Sequence, residues 1–290
     1  MTATSPARRL DRPTVLIAIQ TFCLAIVALV VISPLVLLFV ASLKDDRFQI
    51  LADMGSLAAF WVPEPSLNNF AEVLGAGQGL SLGRYLLNST VILAGTIVGT
   101  VFVSSSIAFV LAWGSIPGRG ALLTLFILLY IIPQETTVLP LLMIVRNLGL
   151  MDGFLAQILP FIASPLFVFL FYQFFIQVPR DIVEAARMDG ASFFAIYRSI
   201  FMPISMPAIA ACAILCGIDA WNMYLWPLLA TQTDYARPIS VAIASLMQTD
   251  QIFWDRAFAA SVLMMIPVLI LYLVFQRWFV SSFIGSAVKG

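Results

Sequence analysis

The sequence predicts an all-α membrane protein with six transmembrane helices. Hydrophobic residues make up 61% of the 290 positions and charged residues only 10%, whereas a soluble domain carries about 25% charged residues. The mean hydropathy is +1.01, and six apolar stretches match or approach the ~20 residues that a spanning helix needs. We therefore expect lipid, rather than water, to surround most of the chain.

The six predicted spans are separated by polar connections of unequal length. They cover residues 15–43, 86–113, 121–145, 154–177, 206–229 and 257–275. A long polar connection, residues 44–84, follows the first span, and Pro117 and Gly118 predict a tight turn after the second. None of the connections is long enough to predict an independent catalytic domain.

The distribution of basic residues predicts that both ends of the chain lie in the cytoplasm. Six spans place the two ends on the same side of the membrane, and Lys and Arg are enriched in cytoplasmic segments. With the N-terminus inside, nine of the 15 basic residues fall on the inner side and six on the outer side. We therefore expect cytoplasmic tails at residues 1–14 and 276–290 around a transmembrane domain at residues 15–275.

The most charged short segment lies between the fourth and fifth predicted spans, and its pattern predicts two short helices. Asp181 can cap the first helix, with Glu184 three residues further on, as in a capping box. Gly190 suits the left-handed residue that ends such a helix. Ser192 can cap the second helix, which we expect Pro203 to end. From spacing alone, an amphipathic elbow on the membrane surface explains this segment as well as a binding element does.

A longer pattern in the same segment, residues 178–207, resembles the EAA loop of permease subunits of ATP-binding-cassette (ABC) importers. The resemblance is carried by Glu184-Ala185-Ala186, Asp189-Gly190-Ala191, Pro203 and Pro207. It implies that the loop faces the cytoplasm and docks into a groove on a separate ATPase subunit. The residues that it implies for coupling to the ATPase are Glu184, Ala185, Ala186, Asp189, Gly190 and Pro203.

The resemblance extends over nearly the whole chain. The chain is similar to the carbohydrate-uptake branch of that family, which includes maltose-type and glycerol-phosphate-type systems. The matching motifs include Asn88-Ser89 at the second span, Trp221-Asn222 and Pro227-Leu228 in the fifth, and Gln276-Arg277 near the C-terminus. Met223 departs from the family pattern, in which Asp or a similar polar residue often follows Trp-Asn. The resemblance implies a sugar or a related polar solute.

Further expectations about the assembly follow from the resemblance alone. It implies the type I ABC importer permease fold in a multi-pass protein of the bacterial inner or plasma membrane. The implied partners are a second homologous permease subunit, two copies of an ABC ATPase subunit, an extracellular or periplasmic solute-binding protein and membrane lipid. ATP and Mg²⁺ would be bound by the ATPase, with no cofactor in this chain.

Two acidic residues within the apolar spans, Glu135 and Asp219, are candidates for the transport pathway. A charge at the bilayer centre costs about 2.5–3.5 kcal/mol on insertion scales, so such groups tend to face a cavity or a partner helix. Gln134 adds to a polar break in the third span, and Trp221 with Asn222 lies near the outer end of the fifth. The alternatives are a structural hydrogen bond for the carboxylates and an interfacial aromatic belt for the tryptophan.

Several functions are disfavoured by residues that the sequence lacks. The chain has no histidine, which excludes His-based catalysis and His metal sites, and its 15 basic and 15 acidic residues give no nucleic-acid signature. Its two lysines, Lys44 and Lys289, do not complete a phosphate-binding P-loop. We therefore expect no enzymatic activity and no metal site. The alternative is a secondary transporter driven by an ion gradient, which would use the two carboxylates but does not explain the charged loop.

Overall fold

The structure, a computed structural model, describes residues 12–76, 81–246 and 253–287, and every regular element in those ranges is helical. This confirms the all-α prediction for the part of the chain that is described. Two compact units are present. The first comprises the described residues up to Ala71 together with Phe253–Val262, and the second comprises the other described residues from Glu72 onward.

The helices follow one another along the chain with short connections. In order they are α1 (Arg12–Ser42), α2 (Arg47–Asp53), α3 (Asn68–Ala71), α4 (Leu82–Trp113), α5 (Arg119–Ile131), α6 (Gln134–Asn147), α7 (Phe154–Ile158), α8 (Pro165–Phe175), α9 (Arg180–Met188), α10 (Phe193–Ile196), α11 (Met202–Ile204), α12 (Met206–Asn222), α13 (Leu225–Ala230), α14 (Ile239–Leu246) and α15 (Trp254–Ala287). Single 3₁₀ turns form at Leu57–Phe60 and Leu159–Phe161, and π-helical turns at Glu72–Ala76 and Tyr197–Phe201.

Three helices of the described residues are long and apolar enough to cross a membrane: Leu16–Ser42 within α1, α4, and Trp254–Trp278 within α15. Three further pairs pass the same test only when joined, and each is bent, by 99° between α5 and α6, by 50° between α7 and α8, and by 75° at the start of α12. By length and composition, the described residues therefore contain three helices that could each span a membrane, or up to six such spans if each bent pair counts as one.

The third predicted span is not the continuous helix that we expected. Pro133 has no N–H to donate and disfavours helical backbone at the residue before it. Ile132 is accordingly extended (φ −68°, ψ 122°), and α6 begins afresh at Gln134. Glu135 therefore lies in the first turn of a helix, where the helix dipole stabilises a carboxylate, rather than in the middle of a helix.

The boundaries of other predicted spans also differ from those of the helices in the structure. The fourth span is divided at Pro165, which opens α8. The fifth ends at Asn222, and residues 225–230 form the separate helix α13. The second begins at Leu82, before the expected 86, and the sixth extends beyond 257–275 to cover Trp254–Ala287.

In the first unit, a buried lysine closes the end of α1. The ammonium of Lys44, which is 2% exposed, lies 2.6 Å from the Asp53 carboxylate and donates to the carbonyl of Ala58. Asn69 donates its amide protons to the carbonyls of Ser42 and Lys44. The bond to Ser42 satisfies a carbonyl that α1 leaves free at its C-terminus, and the others join the residues that follow α1. They hold the start of the long polar connection in a fixed conformation.

In the second unit, α4 is the central helix and packs against α7, α8, α12 and α14. Its approach to α7 depends on a missing side chain, because a Cβ at Gly95 would lie 2.6 Å from Cδ1 of Ile158. Gly217 of α12 has a similar role, since a Cβ there would lie 2.6 Å from Cδ2 of Leu271. Small residues at such positions let helix backbones approach closely, which is a common basis of packing in membranes.

Asp152, in the connection between α6 and α7, is hydrogen-bonded to the end of α13 and to the segment that follows it. Its carboxylate accepts hydrogen bonds from the backbone N–H groups of Gln232 (3.0 Å) and Thr233 (2.9 Å), and its own N–H donates to the carbonyl of Ala230. Its backbone is left-handed, with φ 65°. Burial raises the pKa of Asp152, but the hydrogen bonds from Thr233 and Gln232 outweigh it and hold the pKa below its usual value.

We expect Asp152→Ala to lower stability by about 1–3 kcal/mol, because two backbone donors lose a charged acceptor and alanine tolerates left-handed backbone poorly. In the unchanged protein, Asp152 should make its full contribution to the free energy of unfolding above the unfolded-state pKa of about 3.9. This contribution should be lost as the pH falls through the lowered folded-state pKa. The measurement is the thermal unfolding midpoint of the purified chain in detergent between pH 7 and pH 3. Asp152→Asn is the control, since it keeps a neutral acceptor and suits a positive φ. An Asp152→Ala midpoint equal to that of the unchanged protein at pH 7 would contradict the prediction.

Candidate functional site

The second unit contains a cavity of about 860 Å³. Its wall is formed by α4, by the break between α5 and α6, by α7 and α8, and by α12 and α13. The polar side chains on the wall are those of Ser89, Thr96, Gln134, Glu135, Thr137, Gln157, Ser164, Asp219, Asn222 and Tyr224. A concave site with a few converging polar groups is the usual form of a small-molecule site.

Four of the five residues predicted for the pathway line this cavity. Gln134 and Glu135 reach it because the chain breaks at Pro133 and α6 begins there. Asp219 and Asn222 lie three residues apart on α12, and positions with that spacing share one helix face. The structure therefore brings together residues from two distant segments of the chain, although their role in transport stays a prediction.

Trp221, the fifth predicted residue, does not line the cavity. It is 3% exposed, and the tryptophan that does lie on the wall is Trp226 of α13. The indole N–H of Trp226 donates to the carbonyl of Ala156 at 3.0 Å, and its ring packs against Phe161. Trp226 thus holds α13 against α7 while presenting an aromatic surface to the cavity.

The charges on the cavity wall have one sign. Glu135 and Asp219 are acidic, and no Lys or Arg is among the lining residues in the part of the chain that is described. Five aromatic side chains also lie on the wall: Tyr130, Phe161, Phe167, Tyr224 and Trp226. The cavity therefore combines carboxylates, neutral hydrogen-bonding groups and aromatic surfaces.

Among the polar residues on the wall that were not predicted for the pathway, two are buried with unpartnered side chains among the described residues. Gln157 of α7 is 2% exposed, and Thr96 of α4 is also buried. Neither the amide of Gln157 nor the hydroxyl of Thr96 has a hydrogen-bond partner among the described residues. The only signal in the sequence is that Gln157 is the one polar residue in the run 154–161.

A second candidate site is the charged loop at residues 178–207. The structure confirms its two helices and the left-handed residue between them, because α9 is followed by Gly190 with φ 83°. Ser192 caps α10 as expected and accepts a hydrogen bond from the N–H of Ala195.

Two details of the loop differ from the sequence prediction. Pro179, not Asp181, occupies the N-cap position of α9, and no side-chain cap bond forms there. Asp181 lies in the first turn instead, where a carboxylate still interacts favourably with the helix dipole. Pro203 does not end the second helix, because the chain stays helical to Ile204 before it bends into α12. Pro203 is the second residue of that last turn, which directly follows the π-helical turn at Tyr197–Phe201.

One face of α9 is exposed and contains most of the residues implied for coupling. Glu184 and Ala185 are exposed there, and Asp189 and Gly190 are exposed directly after the helix, while Ala186 is half-buried. Met188 is 84% exposed and lies one turn after Glu184, so it presents a large apolar side chain on the same face. Met188 was not among the residues predicted from the sequence, although its spacing from Glu184 is visible there.

The opposite side of the loop is anchored to α4. The hydroxyl groups of Tyr197 and Ser105 are hydrogen-bonded at 2.7 Å in a buried position. The Phe109 ring lies 5.3 Å from that of Tyr197 and 4.8 Å from that of Phe201. Trp113 of α4 donates to the carbonyl of Phe175 at the end of α8. The Phe201 ring also lies 5.2 Å from that of Phe175, so the loop is fixed to both α4 and α8.

Comparison with known proteins gives consistent matches. Residues 104–285 match the family model described as binding-protein-dependent transport system inner membrane component. The chain is 33% identical over 277 residues to the sn-glycerol-3-phosphate transport system permease protein UgpE of Yersinia pestis bv. Antiqua (strain Antiqua), covering 92% of this chain and 97% of that protein. It is 35% identical over 207 residues to the arabinooligosaccharides transport system permease protein AraQ of Bacillus subtilis (strain 168), covering 71% of this chain and 74% of that protein.

The fold is also similar to a solved structure. A crystal structure of a bacterial ABC transporter involved in the import of the acidic polysaccharide alginate matches with a TM-score of 0.72. The match covers 95% of this chain and 100% of that chain at 23% identity. At that identity, the likeness shows a shared fold.

We expect Gly190→Val to destabilise the loop by about 1–2 kcal/mol, the cost of left-handed backbone for a residue with a Cβ. A Cβ at Gly190 would meet nothing within 4 Å, so the effect should come from the backbone and not from a clash. The matched control is Gly190→Asn, because asparagine tolerates this conformation. Thermal unfolding of the purified variants is the measurement. Equal midpoints for the valine and asparagine variants would show that the left-handed turn is not the constraint.

Proposed function

The chain belongs to the family of binding-protein-dependent transport system inner membrane components, and we propose that it forms half of the pathway for a neutral sugar or polyol. As a permease subunit of an ABC importer, it works with a partner permease, an ATPase and a solute-binding protein. We infer one homologous permease, two ATPase copies and an extracellular or periplasmic binding protein. In this proposal ATP and Mg²⁺ bind only to the ATPase, and the chain itself is not an enzyme.

We further propose that the protein crosses the bacterial inner or plasma membrane six times, with both ends inside. Each bent helix pair then counts as one span, and α1, α4 and α15 supply the other three. The basic-residue distribution supports this orientation, in which residues 1–14 and 276–290 are cytoplasmic and the charged loop at residues 178–207 faces the ATPase.

The charge of the cavity wall is the observation that favours a neutral solute. A phosphate or carboxylate group is usually bound by Arg, Lys or clustered N–H donors. The described wall has two carboxylates, Glu135 and Asp219, and no basic side chain, so it would repel an anion. Hydroxyl-rich neutral molecules suit the neutral polar groups and the aromatic faces, which can pack against the apolar C–H surface of a sugar.

The relatives themselves do not choose between solute classes. One is named for arabinooligosaccharides and another for sn-glycerol 3-phosphate, and their identities to this chain are similar. The wall charge favours the first class over the second. An ion-coupled secondary transporter, the alternative considered from the sequence, has no support among these relatives.

For coupling, we propose that the exposed face of α9 enters a groove on the ATPase. Glu184 offers a charge for a basic partner, the small Ala185 permits close approach, and Met188 supplies apolar contact area. Because Tyr197 and Phe201 fix the loop to α4, a displacement of the docked helix moves a membrane helix with it. A short helix that moves as a rigid body is a common device for this purpose.

We expect Glu184→Lys to reduce ATP-dependent uptake at least about tenfold, because it reverses the charge that meets the ATPase. The variant should still insert in the membrane, since Glu184 is exposed and its side chain makes no hydrogen bond to another of the described residues. The measurement is uptake, together with co-purification of the ATPase, in membranes that contain the full complex. Arg198→Ala is the control, an exposed change on the neighbouring helix that should have little effect. Full uptake by Glu184→Lys would show that the loop is only a surface elbow.

The proposed solute class is tested by uptake into proteoliposomes that contain the full complex and its binding protein. The probes are radiolabelled arabinotriose, maltose and sn-glycerol 3-phosphate. We expect ATP-dependent accumulation of at least one of the two sugars and none of glycerol 3-phosphate. Accumulation of glycerol 3-phosphate without either sugar would overturn the neutral-solute proposal while leaving the family assignment intact.

A further inference from the structure

Gln157 and Thr96 both line the cavity, and the described residues leave their polar side-chain atoms without a partner. Both amide atoms of Gln157 and the hydroxyl oxygen of Thr96 are buried without a hydrogen-bond partner among the described residues. Buried polar groups in proteins nearly always have a partner, so each exception calls for an explanation. Three unpartnered atoms from two helices on one cavity wall point to a ligand.

The fold holds both residues firmly in place at the wall. Gln157 lies between Ala156, whose carbonyl accepts from Trp226, and Ile158, which packs on Gly95. Thr96 follows Gly95 directly on α4. The close approach of α7 to α4 thus involves the sequence neighbours of both polar residues, and both residues line the same cavity.

The polar ends of the two side chains are not held by hydrogen bonds among the described residues. Either group can therefore rotate toward the cavity without breaking one. The amide offers two donors and an acceptor, and the hydroxyl offers a donor and two acceptors. A sugar hydroxyl both donates and accepts, so it can satisfy the carbonyl and the NH₂ of the same amide.

We propose that Gln157 and Thr96 form a hydroxyl-binding subsite for the transported solute within this cavity. The proposal rests on the proposed function, because it assigns a specific contact to the same pathway. An anionic group, which only accepts hydrogen bonds, would leave the Gln157 carbonyl unpaired. The subsite therefore adds selectivity for hydroxyl groups to the charge selectivity of Glu135 and Asp219.

The test is equilibrium binding of radiolabelled arabinotriose, maltose and sn-glycerol 3-phosphate to the complex of permeases and ATPase in nanodiscs, without the solute-binding protein. We expect Gln157→Leu to weaken binding of the preferred probe about three- to tenfold, the usual effect of one lost hydrogen bond. This variant should fold, because it replaces an unpaired buried amide with an apolar side chain of similar size. Thermal unfolding of the same samples checks that it does.

Matched variants separate ligand binding from packing. Thr96→Val removes the hydroxyl at nearly constant shape and should also weaken binding, whereas Thr96→Ser keeps the hydroxyl and should restore it. Ser104→Ala is the control, because Ser104 is another buried residue of α4 with an unpartnered hydroxyl but does not line the cavity. We expect unchanged binding for this variant. Unchanged binding by Gln157→Leu, or equal weakening by Ser104→Ala, would overturn the subsite.

The outcomes also separate the subsite from the proposed solute class. All three probes have hydroxyl groups. If the complex binds only glycerol 3-phosphate, the effect of Gln157→Leu can therefore still be measured with that probe. Weakening by Gln157→Leu in that case supports the subsite and refutes the neutral-solute proposal. Binding of a sugar that is insensitive to both Gln157→Leu and Thr96→Val refutes the subsite alone. Absence of binding for every probe also refutes the subsite.

Discussion

The aromatic contacts of Phe109 hold α4, the end of α8 and the charged loop together. This buried ring of α4 lies within 4.4 to 6.1 Å, centroid to centroid, of the rings of Phe175, Phe193, Tyr197 and Phe201. Such pairs contribute about 0.5–1.5 kcal/mol each beyond the area that they bury. Between helices in lipid, packing of this kind replaces the hydrophobic effect as the source of association. The loop after α8 is consequently part of the packed helices and not an appendage on their surface.

A single helix connects this aromatic cluster to the cavity. Thr96 lines the cavity and Phe109 holds the loop, and both belong to α4. Thirteen residues of helix separate them, which is about 20 Å at 1.5 Å per residue. A helix transmits displacement along its axis with little loss because its hydrogen bonds resist stretching. Movement of the loop can therefore change the wall of the cavity without any contact between the two sites.

The sequence predicted where the helices and turns lie along the chain better than it predicted the bends between helices. Hydropathy located the long apolar helices, but it left the apolar helix α14 (Ile239–Leu246) inside a polar connection. Local chemistry located the cap at Ser192 and the left-handed turn at Gly190, because these depend on a few neighbouring residues. Pro133 was visible as part of a polar break, but a proline alone does not distinguish a kink from a 99° bend, which depends on the helices packed around it. For the same reason, sequence could not tell that Trp226 rather than Trp221 lies on the cavity wall, or that Gln157 would be buried without a partner.

Family membership and solute choice depend on different parts of this molecule. In the proposed coupling, the parts that act are the exposed face of α9, the turn at Gly190 and the attachment to α4, and α9 and Gly190 do not line the cavity. In the proposed selectivity, the parts that act are charges and hydrogen-bonding groups on the cavity wall, where Glu135, Asp219 and Gln157 lie on separate elements. The wall can change by single substitutions while the loop and its aromatic anchor stay the same. Relatives of similar identity can thus be named for a neutral oligosaccharide and for an anionic phosphate ester, and the solute must be inferred from the cavity.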